Sequence, residues 1–210
     1  MQVNHNVKKR EIAMSYTYKG ITPSLLMDTS SIQGNAPTVG SKYNSQTGKM
    51  SKMAEGVCAT MSCFWLSKAI QGDIVTKASE FPSQFSLSIA QGAYVIGSGK
   101  ENALMDKFGL SILSQKMRRG KWYTFKKTKV DSAAAQTVKT PGFYYFCVDG
   151  KPGMGGHALA VATEKLALFF DPNFGLFQFT KASQIEKWLP AFIVDIYPDL
   201  LYDTEVYAVG

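Results

Sequence analysis

Gly56-Val57-Cys58-Ala59-Thr60-Met61-Ser62-Cys63-Phe64-Trp65-Leu66 is the stretch on which the reading of this chain turns. Apolar residues at Val57, Met61, Phe64, Trp65, Leu66, Ala69 and Ile70 fall nearly all round a helical cylinder, the mark of a helix enclosed by protein. Glu55 and Gly56 stand at its start, where an acidic residue suits the helix dipole and a glycine can serve as N-cap. Cys58 then lies in the first turn, facing unpaired backbone N–H groups that favour thiolate over thiol. On this stretch alone Cys58 reads rather as a small buried hydrophobe, as most free cysteines are.

The chemical reading comes from far downstream. Gly155-Gly156-His157-Ala158-Leu159-Ala160-Val161 places a histidine at the head of an apolar strand. After Glu164-Lys165, a second run, Leu166-Ala167-Leu168-Phe169-Phe170, ends in Asp171-Pro172-Asn173-Phe174-Gly175. Two strands joined by a short turn pair antiparallel, so Asp171 is expected beside His157. A thiol on a helix N-terminus, an imidazole and a carboxylate are the three parts that nucleophilic cysteine catalysis needs. His5, the other histidine, lies in the polar N-terminal stretch, which leaves His157 as the candidate base. Asp171 before a proline also suits a simple turn, and the Asn173 amide is an alternative partner for the imidazole.

The three blocks GVCATMSCFWL, GGHALAVA and FFDPNFG, in that order, resemble those of the YopT/AvrPphB-type cysteine proteases, which bacteria deliver into host cells. The resemblance runs from about Glu55 to Leu189, and its most specific piece is Phe169 to Gly175. It implies a papain-like fold with Cys58 as nucleophile, His157 as base and Asp171, rather than Asn173, as the orienting carboxylate. It implies a host protein as substrate, a secretion chaperone as a further partner, export without a Sec signal peptide, and action in the host cytosol. No cofactor is called for. Papain-like enzymes usually carry an amide side chain about six residues before the cysteine to complete the oxyanion hole. Lys52 stands there, so the second donor is unassigned, with Asn44, Gln46 and Ser51 as weak candidates. The Cys58 backbone N–H can supply one donor without a side chain. The same three groups also serve deamidases, transglutaminases and acyltransferases, and a binding domain can keep the fold without catalysis.

Composition bounds these readings. At 210 residues, 45% hydrophobic and 19% charged, the chain suits one globular domain with a substantial core. No apolar run approaches a bilayer span, and Lys8-Lys9-Arg10 is not followed by a signal-peptide core. Three cysteines (Cys58, Cys63, Cys147) without framework spacing fit a reducing compartment, and no zinc motif is present. The net charge of +7 allows an anionic membrane surface or an acidic partner. The densest basic cluster, Lys116 to Lys127, interleaves Trp122, Tyr123 and Phe125, but equally describes an amphipathic strand, so no nucleic acid is expected.

Along the chain, residues 1–43 read as a flexible leader, with Ser30 to Pro37 as an exposed linker, and 44–210 as the catalytic domain. Ser83 to Phe108 reads as a long helix broken at Gly97-Ser98-Gly99, and Asp131 to Thr140 as a further helix. Phe143 to Val148 and Leu176 to Phe179 read as strands. Thr180 to Leu189 reads as a helix capped by Thr180 and stopped by Pro190, with Phe192-Ile193-Val194 and Glu205 to Val209 as closing strands. Helices first and an antiparallel sheet afterwards give an α+β fold, with the nucleophile on the helical side and the base and carboxylate on the sheet.

Overall fold

The computed structural model describes residues 16–34, 41–44, 49–52, 57–96, 101–113, 139–150, 155–200 and 203–210. Strand β1 (Ser24–Met27) and a short helix α1 (Ser30–Gly34) come first, followed by the hairpin strands β2 (Ser41–Asn44) and β3 (Lys49–Lys52). Three helices follow: α2 (Cys58–Ile70), α3 (Gln84–Ile96) and α4 (Glu101–Lys107). The rest is β4 (Phe143–Asp149), β5 (Gly156–Ala162), β6 (Ala167–Asp171), β7 (Gly175–Phe179), α5 (Ala182–Ile196) and β8 (Asp203–Val209). A six-stranded sheet in the order β1-β7-β6-β5-β4-β8 is antiparallel throughout. The expected α+β class therefore holds.

The alternation along β5 explains how the layers meet. Ala158, Ala160 and Ala162 join the core that contains α2, whereas Leu159 and Val161 join the core that contains α5. Three alanines on one face leave room for α2 to lie close against the strand. Trp65 of α2 stacks on Phe170 of β6, with ring centroids 5.5 Å apart. On the other face, Trp188 and Phe192 of α5 stack at 4.6 Å over Phe169 and Phe177. Aromatic pairs of this kind add about 0.5–1.5 kcal/mol each beyond area burial.

Several expectations are corrected. The leader does not run unstructured to residue 43: β1 pairs with β7 (Ser24↔Gln178, Leu25↔Phe177), Trp188 Nε1 donates to the Tyr16 carbonyl at 2.9 Å, and the Tyr16 ring sits edge-on among Phe174, Phe177 and Phe192. Ser30 to Gly34 is helix rather than linker, with Ile32 packed against the core. Polar composition hid this, because a few buried aromatics suffice to anchor an otherwise polar segment.

Pro190 does not end α5, which continues to Ile196, so Phe192 to Val194 is helical. A proline inside a helix costs about 3 kcal/mol. Burying Phe192 and Ile193, both fully enclosed, returns about 1.5–3 kcal/mol each and offsets it. Lys181, not Thr180, holds the N-cap position; the Thr180 N–H and hydroxyl both donate to Gln184 Oε1, at 3.0 and 2.8 Å. α3 ends at Ile96 and α4 begins at Glu101, and the break expected at Gly97-Ser98-Gly99, residues 116–127 and most of the helix expected over 131–140 lie outside the described residues.

Candidate active site

Cys58 is the first residue of α2, and Val57 holds the N-cap position without a side-chain acceptor; Glu55 and Gly56 lie outside the described residues. The cap comes from another helix. Gln91 of α3 presents Oε1 to the Thr60 N–H and to the Thr60 hydroxyl, each at 3.0 Å, satisfying a first-turn donor that would otherwise be orphaned. One turn beyond Cys58, the buried Ser62 hydroxyl donates to the Ala158 carbonyl at 3.1 Å, and the Ala158 N–H in turn bonds the Cys58 sulfur. The helix that begins at Cys58 is thus pinned to β5 one residue from His157.

His157 is the second residue of β5 and Asp171 the last of β6. The β5–β6 register (Ala160↔Phe170, Val161↔Phe169) carries the strands so that these two meet, with His157 Nε2 2.9 Å from Asp171 Oδ1. Nε2 donates to the carboxylate, which leaves Nδ1 as the ring nitrogen toward Cys58. Asp171 is fully buried, and His157 and Cys58 are nearly so. The carboxylate accepts two further bonds, from the Asn173 backbone N–H to Oδ1 at 2.8 Å and from the Tyr197 hydroxyl to Oδ2 at 2.8 Å.

The tight turn that presents Asp171 depends on Gly175. Its φ is +131°, and an added Cβ would meet the Met27 carbonyl oxygen at 1.7 Å. Thr29, just after β1, closes the same turn from outside by donating to the Pro172 carbonyl at 2.9 Å.

The three side chains perturb one another. Burial alone would raise the Cys58 thiol, but the hydrogen bond and charge of His157, with the Ala158 and Ala59 N–H groups, hold it below its ordinary value. Burial would lower His157, yet the charge and hydrogen bond of Asp171, with those of Cys58, push it up to about 10. Both directions favour a thiolate–imidazolium pair. Burial pushes the Cys63 thiol up, with Glu101 adding to it, and does the same to Cys147, helped by Asp149. Those two thiols stay protonated.

Asn173 does not take the imidazole: its amide donates to the Tyr197 hydroxyl at 3.0 Å. Of the oxyanion candidates, Asn44 lies on β2 and Ser51 on β3, while Gln46 and the side chains of both strands lie outside the described residues. Sequence reading missed Gln91, Ser62, Thr29 and Tyr197. Their partners are 24 to 143 residues away, so no local spacing signals them. Among the described residues no cluster of His, Cys, Asp or Glu could hold a metal ion.

The fold has relatives among solved structures. The Pseudomonas avirulence protein AvrPphB superposes with a TM-score of 0.53 at 19% identity, covering 82% of this chain and 96% of its own. At that identity the likeness shows a shared fold. PatoxP, a cysteine protease-like domain of the Photorhabdus asymbiotica toxin PaTox, matches at a TM-score of 0.45 and 11% identity, over 97% of this chain and 59% of its own. No curated protein sequence matches the chain. The peptidase C58 family, described as Yersinia/Haemophilus virulence surface antigen, matches residues 36–198, a span that takes in Cys58, His157 and Asp171. With well over half of its length matched, this chain belongs to the peptidase C58 family.

Proposed function

We propose that this protein is a cysteine endopeptidase that cuts a specific host protein, with Cys58 as nucleophile, His157 as acid and base, and Asp171 as the group that orients the imidazole. The observation that carries this reading is the chain of contacts from the Cys58 thiol through His157 to Asp171, in a member of a peptidase family. The Cys58 thiolate attacks the scissile carbonyl carbon, and the resulting oxyanion takes a bond from the Cys58 backbone N–H. The C–N bond breaks as His157 Nδ1–H protonates the leaving amine. The neutral imidazole then removes a proton from water, whose oxygen attacks the thioester and releases the acid, restoring thiolate and imidazolium.

The family's description and the avirulence protein of similar fold support a bacterial effector acting inside a host cell. A polybasic substrate segment is disfavoured if the net charge of +7 surrounds the cleft. The test is incubation with host-cell lysate beside a Cys58→Ala control, mapping new protein N-termini by mass spectrometry. New N-termini that require Cys58 support the endopeptidase. Loss of glutamine amide or new isopeptide links without chain cleavage would assign the site to acyl transfer or deamidation instead.

A further inference from the structure

Tyr197 follows α5 directly, outside the three sequence blocks that carry the site. Its hydroxyl donates to Asp171 Oδ2 at 2.8 Å and accepts from Asn173 Nδ2 at 3.0 Å. Its ring lies over His157 with centroids 4.8 Å apart and planes tilted by 32°. We propose that Tyr197 is a positioning residue: it locks the plane of the Asp171 carboxylate, and so the line from Asp171 through His157 to Cys58, and it transmits the hold of the Asn173 amide to that carboxylate. The proposal rests on reading Cys58, His157 and Asp171 as one working unit.

The hydrogen-bond directions leave no other arrangement. The Asn173 Nδ2 group can only donate, so the Tyr197 oxygen accepts and its single proton goes to Asp171. Burial and the neighbouring Asp171 charge hold that phenol well above its ordinary range, so it stays a donor throughout the working pH range. The other two donors, His157 Nε2 and the Asn173 backbone N–H, both engage Oδ1. The torsion about the carboxylate bond is broad and soft. A carboxylate held through one oxygen can swing about it; a third bond on Oδ2 removes that freedom. Among the described residues, Cys58 and Tyr16 also couple by charge to this cluster.

Two roles for the hydroxyl predict opposite signs. Acting only as a dipole, it draws charge from Asp171, so removing it would tighten the carboxylate's hold on the imidazolium. As a positioning group, its loss lets Asp171 turn away, which weakens the imidazolium and, with it, the Cys58 thiolate.

The experiment follows the pH dependence of Cys58 alkylation by iodoacetamide in the full chain, for wild type, Tyr197→Phe, Asn173→Ala and the double variant. Thermal unfolding of each confirms that it is folded, and the phenylalanine ring preserves the contacts with Phe174 and Phe192. The expected result is an acid limb displaced upward by roughly one pH unit in Tyr197→Phe, seen as an about tenfold slower reaction at acid pH. Asn173→Ala should shift it less, in the same direction, and add nothing in the Tyr197→Phe background. If Tyr197→Phe does not fold, the shift in Asn173→Ala alone decides, since that variant keeps the backbone bond. A limb that stays in place or moves down, or an Asn173 effect undiminished without the hydroxyl, overturns the proposal. Because the readout needs no substrate, a wild type that shows this pattern yet cuts nothing in lysate would refute the endopeptidase and leave Tyr197 in its role.

Discussion

Cys58 combines two conditions that oppose each other, burial and a stabilised negative charge, and the balance lies with the second because three donors, His157 with its charge and the Ala158 and Ala59 N–H groups, converge on one sulfur. Replacing Cys58 or His157 by alanine should lower turnover by at least about a thousandfold with the fold intact, since no other described residue offers either group at that place. Near-normal cleavage by either folded variant would remove it from the mechanism. Asp171→Asn keeps a hydrogen-bonding group beside the imidazole but loses the charge that raises it, so a roughly hundredfold loss in kcat is expected. Asn173→Ala should cost far less, because its side chain reaches the carboxylate only through Tyr197. The reverse ranking in steady-state kinetics would hand the orienting role to Asn173. The pH profile follows from the same two groups. The active pair needs Cys58 deprotonated and His157 protonated, so activity should rise through a thiol value depressed below the ordinary range and fall as pH passes about 10. A rising limb at the free-thiol value would show that His157 does not stabilise the thiolate.

At the scale of elements, the site depends on how α2, β5, β6 and α5 are held. Trp188 of α5 touches Tyr18, Phe169, Phe177, Phe179 and Phe192, so Trp188→Ala should cost about 3–5 kcal/mol in denaturant unfolding. A loss under 1 kcal/mol would mean that the aromatic layer is not the support of the sheet. These elements differ in how openly the sequence announced them. β4 to β7 and α2 were legible because each is a short, strongly patterned run bounded by glycine, proline or polar residues, and the His157–Asp171 meeting followed from one hairpin. The continuation of α5 through Pro190 was not legible. Local chemistry says stop there, and only the enclosed surfaces of Phe192 and Ile193, contributed by strands distant in sequence, say continue. The Gln91 cap and the Ser62 link escaped for the same reason: a serine or glutamine on a helix carries no local sign of a partner on another element.

At the scale of the molecule, residues 16–29 are a structural part of the sheet and of the site's outer wall. Met27 and Tyr16 are buried, and Thr29 closes the turn that carries Asp171. A chain beginning at Asn35 should therefore unfold more easily, by roughly 4 kcal/mol from the lost burial of Tyr16, Met27 and their neighbours. Equal thermal stability of the full and shortened chains would show that this segment adds nothing to the fold. Net charge, size and cysteine usage bound the molecule but did not reveal this strand, because Ser24 to Met27 is too short and too flanked by polar residues to stand out. The proposed reading, helix N-terminus against sheet, has one chemical consequence that separates it from a fold kept without catalysis: a single thiol activated by a single histidine. A short iodoacetamide pulse on the folded protein at pH 6, with labelled peptides quantified by mass spectrometry, measures this directly. Labelling concentrated on Cys58, sparing Cys63 and Cys147, and falling sharply in His157→Ala is the predicted result; equal labelling of all three cysteines, or labelling of Cys58 indifferent to His157, would contradict it.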